Sequence, residues 1–254
     1  MSIINNKTNK RRIGILGCGE VGTSIKALYD PNLFDVLTKD KTDKIETQLT
    51  QLDVLNICIP YTESFIKTVK EYIVSSNAEI TIIHTTVPVG TTSLIDQELG
   101  GDRCIVHSPV RGNHPDLTKS LTTFVKYIGS PSPKSIKLAA THFRELNICL
   151  STCNAYEKTE AAKLLCTTYY GLCIAWHNEI KKLCDKYNIE VSFIKDWNTT
   201  YNNGYSALGM SKFNRPILNP PVDNKIGGHC VVPNAELLDL AIDSQLIKEI
   251  IKYK

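Results

Sequence analysis

Two short stretches near opposite ends of the chain hold residues that can do chemistry. Near the start, Arg12-Ile13-Gly14-Ile15-Leu16 passes directly into Gly17-Cys18-Gly19-Glu20-Val21-Gly22. A G-x-G-x-x-G turn between a strand and a helix holds a dinucleotide for stated physical reasons. The first glycine permits the tight turn, the second lets backbone approach a pyrophosphate, and the third lets helix and strand pack closely. The helix start adds N–H groups that lack intrahelical partners. Asp40 closes the next apolar run and offers a carboxylate to ribose hydroxyls. It would repel a 2′-phosphate, which favours NAD over NADP; Lys39 and Lys41 flank it and work against that preference. Near the other end, Gly227-Gly228-His229-Cys230 presents a thiol on a polar, glycine-flanked loop. A thiolate is a nucleophile where nearby groups favour it. A buried structural cysteine is the competing reading of Cys230, and His229 either activates the thiol or merely packs.

Three further positions join these. Thr86 ends an apolar run in His84-Thr85-Thr86-Val87-Pro88, and Ser108-Pro109-Val110-Arg111 follows another. In open α/β sheets the ligand crevice lies beyond the carboxyl ends of the strands, where both turns fall. Arg111 is suited to an anionic substrate group, with a structural salt bridge as its alternative. Lys163 lies in Glu160-Ala161-Ala162-Lys163-Leu164-Leu165, where periodicity alone makes it a surface lysine.

The elements that must position these groups follow from apolar periodicity. Ile13–Leu16, Phe34–Thr38, Val54–Ile59, Ile80–His84, Cys104–His107 and Phe124–Ile128 read as strands, short and bounded by turn residues. Thr23–Tyr29 and Thr62–Ser75 read as helices between them, and Lys134–Glu145 as a further helix before a strand at Asn147–Leu150. Alternating strands and helices predict a parallel sheet covered on both faces. From Ala155 to Tyr187 there is no proline, and apolar residues recur at helical spacing. That predicts a helix of about 30 residues, ~45 Å long at the usual rise. Its length points to a face buried against a second subunit. A helix at Val191–Asn203, a loop over 214–228 and a closing helix at Ala235–Tyr253 complete the reading. The predicted fold is α/β, a Rossmann-type doubly wound parallel sheet followed by a smaller all-α domain with one long helix. Residues 1–153 form the NAD-binding domain and 154–254 the helical domain that carries the cysteine loop.

A net charge of +3 over 254 residues gives no reason to expect nucleic acid or a membrane surface as partner. No apolar run reaches the ~18 residues of a membrane span, and the polar opening is no secretory signal. The nine cysteines sit mostly in apolar runs, which predicts reduced core thiols and a cytoplasmic protein. No metal-ligating set stands out.

Taken together, these residues resemble the UDP-glucose/GDP-mannose dehydrogenases, the nucleotide-sugar 6-dehydrogenases. The glycine turn, Ile59-Pro60 and Thr85-Thr86-Val87-Pro88-Val89-Gly90-Thr91-Thr92 are similar to that family's N-terminal domain. Glu160-Ala161-Ala162-Lys163-Leu164 through His177-Asn178-Glu179 is similar to its central dimerisation helix, and Gly227-Gly228-His229-Cys230 to its catalytic loop. The resemblance implies two NAD per turnover, taking an alcohol through an aldehyde and a Cys230 thioester to a carboxylate. Lys163 would stabilise the oxyanion, with Thr86, Thr167 and Asn234 in support. Gly17, Gly19, Glu20, Val21, Gly22, Asp40, Pro60 and Thr86 would hold the cofactor, and Arg111, Gly228 and His229 the substrate, a sugar or nucleotide sugar. A homodimer through the long helix is implied as well.

The departures are specific. Thr167 and Asn234 stand where the family has Asn and Asp, Pro233 is displaced by one position, and Val110 replaces a glutamate common after the Ser-Pro. The chain ends at Lys254, so the family's C-terminal nucleotide-binding domain is expected to be absent. Two alternatives stay open: a two-electron oxidoreductase like the β-hydroxyacid dehydrogenases, and a non-catalytic NAD-binding protein.

Overall fold

A computed structural model describes residues 10–43, 48–112, 116–221, 225–227 and 230–254. Packing divides the chain into two units, residues 1–163 and 164–254. The first unit is built on seven strands: β1 Arg11–Leu16, β2 Phe34–Lys39, β3 Val54–Ile57, β4 Ile80–Ile83, β5 Ile105–His107, β6 Lys126–Gly129 and β7 Leu150–Cys153. They form one sheet in the order β2-β1-β3-β4-β5-β6-β7. The helices between them are α1 Glu20–Lys26, α2 Phe65–Ser76, α3 Thr91–Glu98, α4 Leu117–Thr123 and α5 Pro133–Glu145.

Strand parity sorts the side chains into two cores. Ile13, Ile15, Val54, Ile82, Val106 and Ile128 face one side, with Ile25 of α1, Leu121 of α4 and Phe143 of α5. Leu16, Leu55, Ile57, Ile83 and Ile105 face the other, with Phe65 and Val69 of α2 and Ile95 of α3. Two covered faces on a largely parallel sheet make the doubly wound architecture that the sequence predicted.

The sheet departs from the expectation in one respect. β6 pairs antiparallel with β5, while β6 and β7 are parallel to each other. Lys126, at the start of β6, therefore lies on the edge where β1, β3, β4 and β5 end. β7 begins at Leu150, not Asn147, because Asn147 (φ 56°) closes the end of α5 in the left-handed region. α2 starts at Phe65 and stops at Asn77, again left-handed at φ 45°. The sequence reading assigned no helix to α3 or α4.

The long helix α6 spans Tyr156–Tyr187; its first turns belong to the first unit and the rest to the second. In the second unit, α7 covers Val191–Ala207, a 3₁₀ turn Ser211–Phe213, α8 Val231–Asp239 and α9 Gln245–Ile251. The single closing helix expected over Ala235–Tyr253 is thus two. Ala241 and Ile242 both donate to the Leu238 carbonyl, and Ser244 (ψ 125°) restarts the chain as the N-cap of α9. The core of this unit gathers Leu164, Ile226, Val231, Val232, Leu238 and Ile250. A Cβ on Gly171 of α6 would lie 2.6 Å from Val231 Cγ1 and 3.1 Å from Ile250 Cγ2, so α8 and α9 close on the helix where a side chain is missing.

All nine cysteines are free thiols; Cys184 is buried and Cys58 and Cys104 pack against the core, but the expectation of core thiols fails for three others. Cys18, Cys149 and Cys166 are exposed. They sit at turns, strand approaches and outer helix faces that the apolar runs did not distinguish from core.

Candidate functional site

The glycine turn has the geometry its sequence requires. Gly17 has φ +98°, and a Cβ there would lie 2.8 Å from the Cys58 carbonyl carbon and the Ile59 nitrogen. Gly22 is more constrained, since its Cβ would stand 1.8 Å from the Gly17 oxygen. These two glycines serve the fold, letting the turn lie on the end of β3 and α1 lie on the turn. Gly19 differs: a Cβ there meets nothing within 4 Å, so internal packing does not explain it. Glu20 and Val21 begin α1, Glu20 exposed and Val21 packed against the core.

Asp40 stands beside this turn. Its Oδ2 accepts the Cys18 N–H at 2.7 Å, and its Oδ1 has longer contacts to Thr42 N and Oγ1 at 3.4 and 3.3 Å. The Cys18 N–H chiefly holds this carboxyl below the ordinary range, against a small opposing effect of burial. Asp40 is thus a charged carboxylate that fixes the turn through one oxygen and makes only long contacts, among the described residues, through the other. The residues present fit an adenosine ribose and a pyrophosphate: a carboxylate for hydroxyls, and a backbone bare of Cβ where phosphates must come close.

The neighbouring exits are tied together. Thr85 Oγ1 donates to the Ile59 carbonyl at 2.7 Å, joining the end of β4 to the segment that carries Pro60, which is exposed. Thr86 follows, half-buried. Glu160 is fully buried, and its carboxylate accepts the Gly90 N–H at 2.7 Å and the Thr92 N–H at 2.9 Å. Burial raises its pKa, and the bonds from Thr92 and Gly90 oppose that rise. Glu160 therefore caps α3 from α6 and joins two stretches that the sequence singled out separately. Thr159, its neighbour, bonds His107 Nδ1 at 2.7 Å. Lys163, one turn along α6, is half-buried, and its positive charge reaches Lys126.

The turn after β5 carries its candidates differently. Val110 is buried in the core and occupies its place as packing. Arg111 makes no described salt bridge; its guanidinium lies 5.4 Å from the Phe124 ring centre and 5.5 Å from that of Tyr127. It stands in cation–π contact with both rings.

In the second unit, Cys230 is half-buried and is the N-cap residue of α8. Asn234 is buried one turn on, and its N–H donates to the Cys230 carbonyl at 3.0 Å. Pro233 falls in the first helical turn, where its missing N–H costs no intrahelical bond. Thr167 is half-buried on α6. Gly228 and His229 lie outside the described residues. Among the described residues no His, Cys, Asp and Glu group could hold a metal ion.

Sequence reasoning missed Glu160, His84, His107 and above all Lys126. Lys126 shares strand parity with Ile128, and a lysine at a core position of a strand was the available signal.

The fold and the glycine turn define a Rossmann-type α/β unit followed by a helical unit. No protein-family model matches the chain. It is 23% identical over 252 residues to UDP-N-acetyl-D-mannosamine dehydrogenase of Methanococcus maripaludis, covering 90% of this chain and 53% of that protein. It is 28% identical over 209 residues to the protein of that name from Methanocaldococcus jannaschii, covering 74% and 44%. The chain thus spans about half the length of the curated relatives it matches. Among solved structures, UDP-D-ManNAc dehydrogenase of Pyrococcus horikoshii superposes with a TM-score of 0.78 at 20% identity, covering 95% of this chain and 68% of that one. Mycobacterium tuberculosis 3-hydroxyisobutyrate dehydrogenase gives 0.72 at 15%, covering 96% and 92%. The chain is thus similar in sequence to proteins named UDP-N-acetyl-D-mannosamine dehydrogenase and shares its fold with these solved dehydrogenases, in line with the resemblance of its motifs.

Proposed function

We propose that the protein is an NAD-dependent dehydrogenase that oxidises an alcohol carbon of a sugar or nucleotide sugar. The observation that carries this is Gly19, stripped of a side chain where no packing demands it, beside the charged carboxylate of Asp40. The relatives named UDP-N-acetyl-D-mannosamine dehydrogenase point to a nucleotide sugar. NAD supplies the hydride acceptor. Asp40 would hold its ribose hydroxyls, and the turn over Gly17–Gly22 its pyrophosphate, with Pro60 and Thr86 bordering it.

The full reading follows the family chemistry. The alcohol loses a hydride and its hydroxyl proton to give an aldehyde. The Cys230 sulfur adds to the aldehyde carbon, and the resulting thiohemiacetal loses a second hydride and a proton to give a thioester. Water cleaves the thioester to a carboxylate and restores the thiol. Lys163 stabilises the oxyanion in these steps, an interaction whose loss costs about 10²–10³ in rate. Thr167 and Asn234 take supporting places, while Arg111 and the 227–229 loop serve the substrate. Val110, buried and apolar, cannot supply the acid/base help of a glutamate.

The exposed Leu165, Tyr169, Trp176, Leu183 and Tyr187 of α6 and Phe193 and Trp197 of α7 form an apolar surface that suits a homodimer. No helix among the described residues is long and apolar enough to cross a membrane. Nine free thiols suit a reducing cytoplasm.

A second reading has specific support. The 3-hydroxyisobutyrate dehydrogenase structure is matched over 92% of its length, so a two-electron oxidation is the alternative that the shared fold supports. The test is NADH binding by calorimetry, followed by NADH formation with UDP-N-acetylmannosamine, UDP-glucose and 3-hydroxyisobutyrate. Two NADH per UDP-sugar consumed supports the thioester route, and one NADH from the hydroxyacid supports the second reading. Absence of NADH binding overturns both. Light scattering at micromolar concentration tests the dimer.

A further inference from the structure

A polar chain crosses the otherwise apolar α1/α5 side of the sheet. Lys126 Nζ donates to the carbonyls of Ser108 at 2.7 Å and Pro109 at 3.1 Å, and lies 3.2 Å from His84 Nδ1. His84 Nε2 lies 2.9 Å from Asn56 Oδ1. Asn56 Nδ2 faces the Gly14 carbonyl at 3.3 Å and Tyr29 Oη at 3.1 Å, and Tyr29 Oη faces His142 Nε2 at 2.9 Å.

The chain has one consistent direction. Asn56 must turn its amide nitrogen toward the Gly14 carbonyl, because two oxygens would repel there. Its oxygen then faces His84, so Nε2 carries the hydrogen. Burial drives the His84 pKa well below its ordinary value, against an opposing effect of the Ser108 carbonyl, so the ring is neutral. Its Nδ1 lies 3.2 Å from both that carbonyl and Lys126 Nζ; with the hydrogen on Nε2 it is an acceptor, and the lysine is the donor that both can share. Lys126 thus meets three acceptors, and only an ammonium has three N–H donors.

We propose that Lys126 is a positioning residue whose protonated side chain sets the Ser108–Pro109 turn, and through it the place of Arg111, for substrate binding. Loss of its proton removes one donor and loosens that turn. The role in substrate binding rests on the dehydrogenase reading; the coupling of the lysine to the turn does not.

The setting makes this proton removable near neutrality. Lys126 is 3% exposed, and burial, the largest cause, brings its pKa down to about 7. Cys58, just after β3, opposes the fall, and the Lys163 charge from α6 adds to it. His84, just after β4, and His107 of β5 both feel its charge, and His142 of α5 acts on His84. The Phe143 ring of α5 lies 5.7 Å from Nζ and adds a cation–π contact. A change at Lys163 is therefore transmitted to the turn through the Lys126 proton.

The test uses the full chain labelled with ¹³Cε-lysine. In wild type one lysine resonance should titrate at least a full pH unit below the others, vanish in Lys126→Met, and titrate higher in Lys163→Met. Hydrogen exchange over residues 105–112, corrected for intrinsic rate, should quicken at least threefold across that titration, with residues 11–16 unchanged. Folded Lys126→Met should show the fast exchange at every pH. In NAD-dependent turnover of UDP-N-acetylmannosamine, KM should rise across the same range more than kcat falls. If Lys126→Met does not fold, the wild-type titration and exchange decide alone. A lysine set with no depressed midpoint, or exchange over 105–112 that ignores it, overturns the positioning role. Absent turnover with the titration and exchange intact overturns only the dehydrogenase reading.

Discussion

Alanine at each of the three glycines of the first turn separates fold from ligand. At Gly22 the new methyl would stand 1.8 Å from the Gly17 oxygen, where ordinary contact begins near 3.4 Å. α1 would have to retreat by more than about an ångström; overpacking of this kind costs about 1–3 kcal/mol, of which the better helix propensity of alanine returns at most ~1. At Gly17 the contact is milder, 2.8 Å, but φ is +98°. A left-handed conformation costs an L-residue roughly 1–2 kcal/mol, so strain and contact together should remove about 3 kcal/mol. Gly19 has φ −68° and ψ −166°, which alanine adopts freely, and open space around its Cβ. Only its modest value as an N-cap is lost, about 0.5–1 kcal/mol. Urea melts of the three variants should therefore rank Gly17→Ala and Gly22→Ala as destabilised, with Gly19→Ala near wild type. NADH titration of Gly19→Ala should nonetheless show at least a tenfold loss of affinity, about 1.4 kcal/mol or more. A Gly19→Ala protein that binds NADH as wild type does would refute the placement of the pyrophosphate over this residue. One that melts early would refute the division of labour among the glycines.

Three further outcomes are expected. Glu160→Ala strands two backbone N–H groups at the start of α3 and should cost about 2–5 kcal/mol in denaturant melts; a loss under ~1 kcal/mol would show that the cap is dispensable. Stability should fall as pH drops below 6.5, because His107 and His142 are depressed to about 3 and His84 well below its ordinary value. The unfolded chain binds those protons first, so each histidine contributes up to about 1.4 kcal/mol per pH unit in that window; a melting temperature flat from pH 7 to about 5 would contradict their burial as neutral rings. Cys230→Ser should stop NADH formation from a nucleotide sugar after the first oxidation, halving its yield per substrate; an unchanged yield would remove the thiol from the chemistry.

Much of the first unit was legible because a strand buried between helices writes its parity and its ends into apolar runs. Ile13–Leu16 and Ile80–His84 are examples, and the glycine turn followed from where one such run stopped. Strand direction is not written that way. Phe124–Ile128 reads the same in either sense, so the reversal at β6 was invisible, and with it the arrival of Lys126 at the edge where other strands end. Glu160 was quoted only as part of a motif, since its task depends on the N-terminus of α3, a helix whose polar sequence gave no periodic signal. The last helix was misjudged because Leu240-Ala241-Ile242 continues the apolar pattern across a break that only the Leu238 carbonyl and Ser244 define. The cysteine loop was visible as composition, whereas the helix it opens was not.

Gly171 has a consequence that reaches beyond its own contacts. It sits on α6 opposite Val231, the residue next to Cys230, at a separation that one methyl group would overrun. The height at which α8 rides along α6 is therefore gauged by an absent atom. A protein engineer who wished to move the thiol by a few tenths of an ångström, without altering the loop that bears it, would turn this screw: alanine at 171 to lift α8, and a smaller residue at 231 to let it settle again. Natural drift at the pair has the same reach, so the placement of the Cys230 sulfur is inherited in part through two apolar positions with no chemistry of their own.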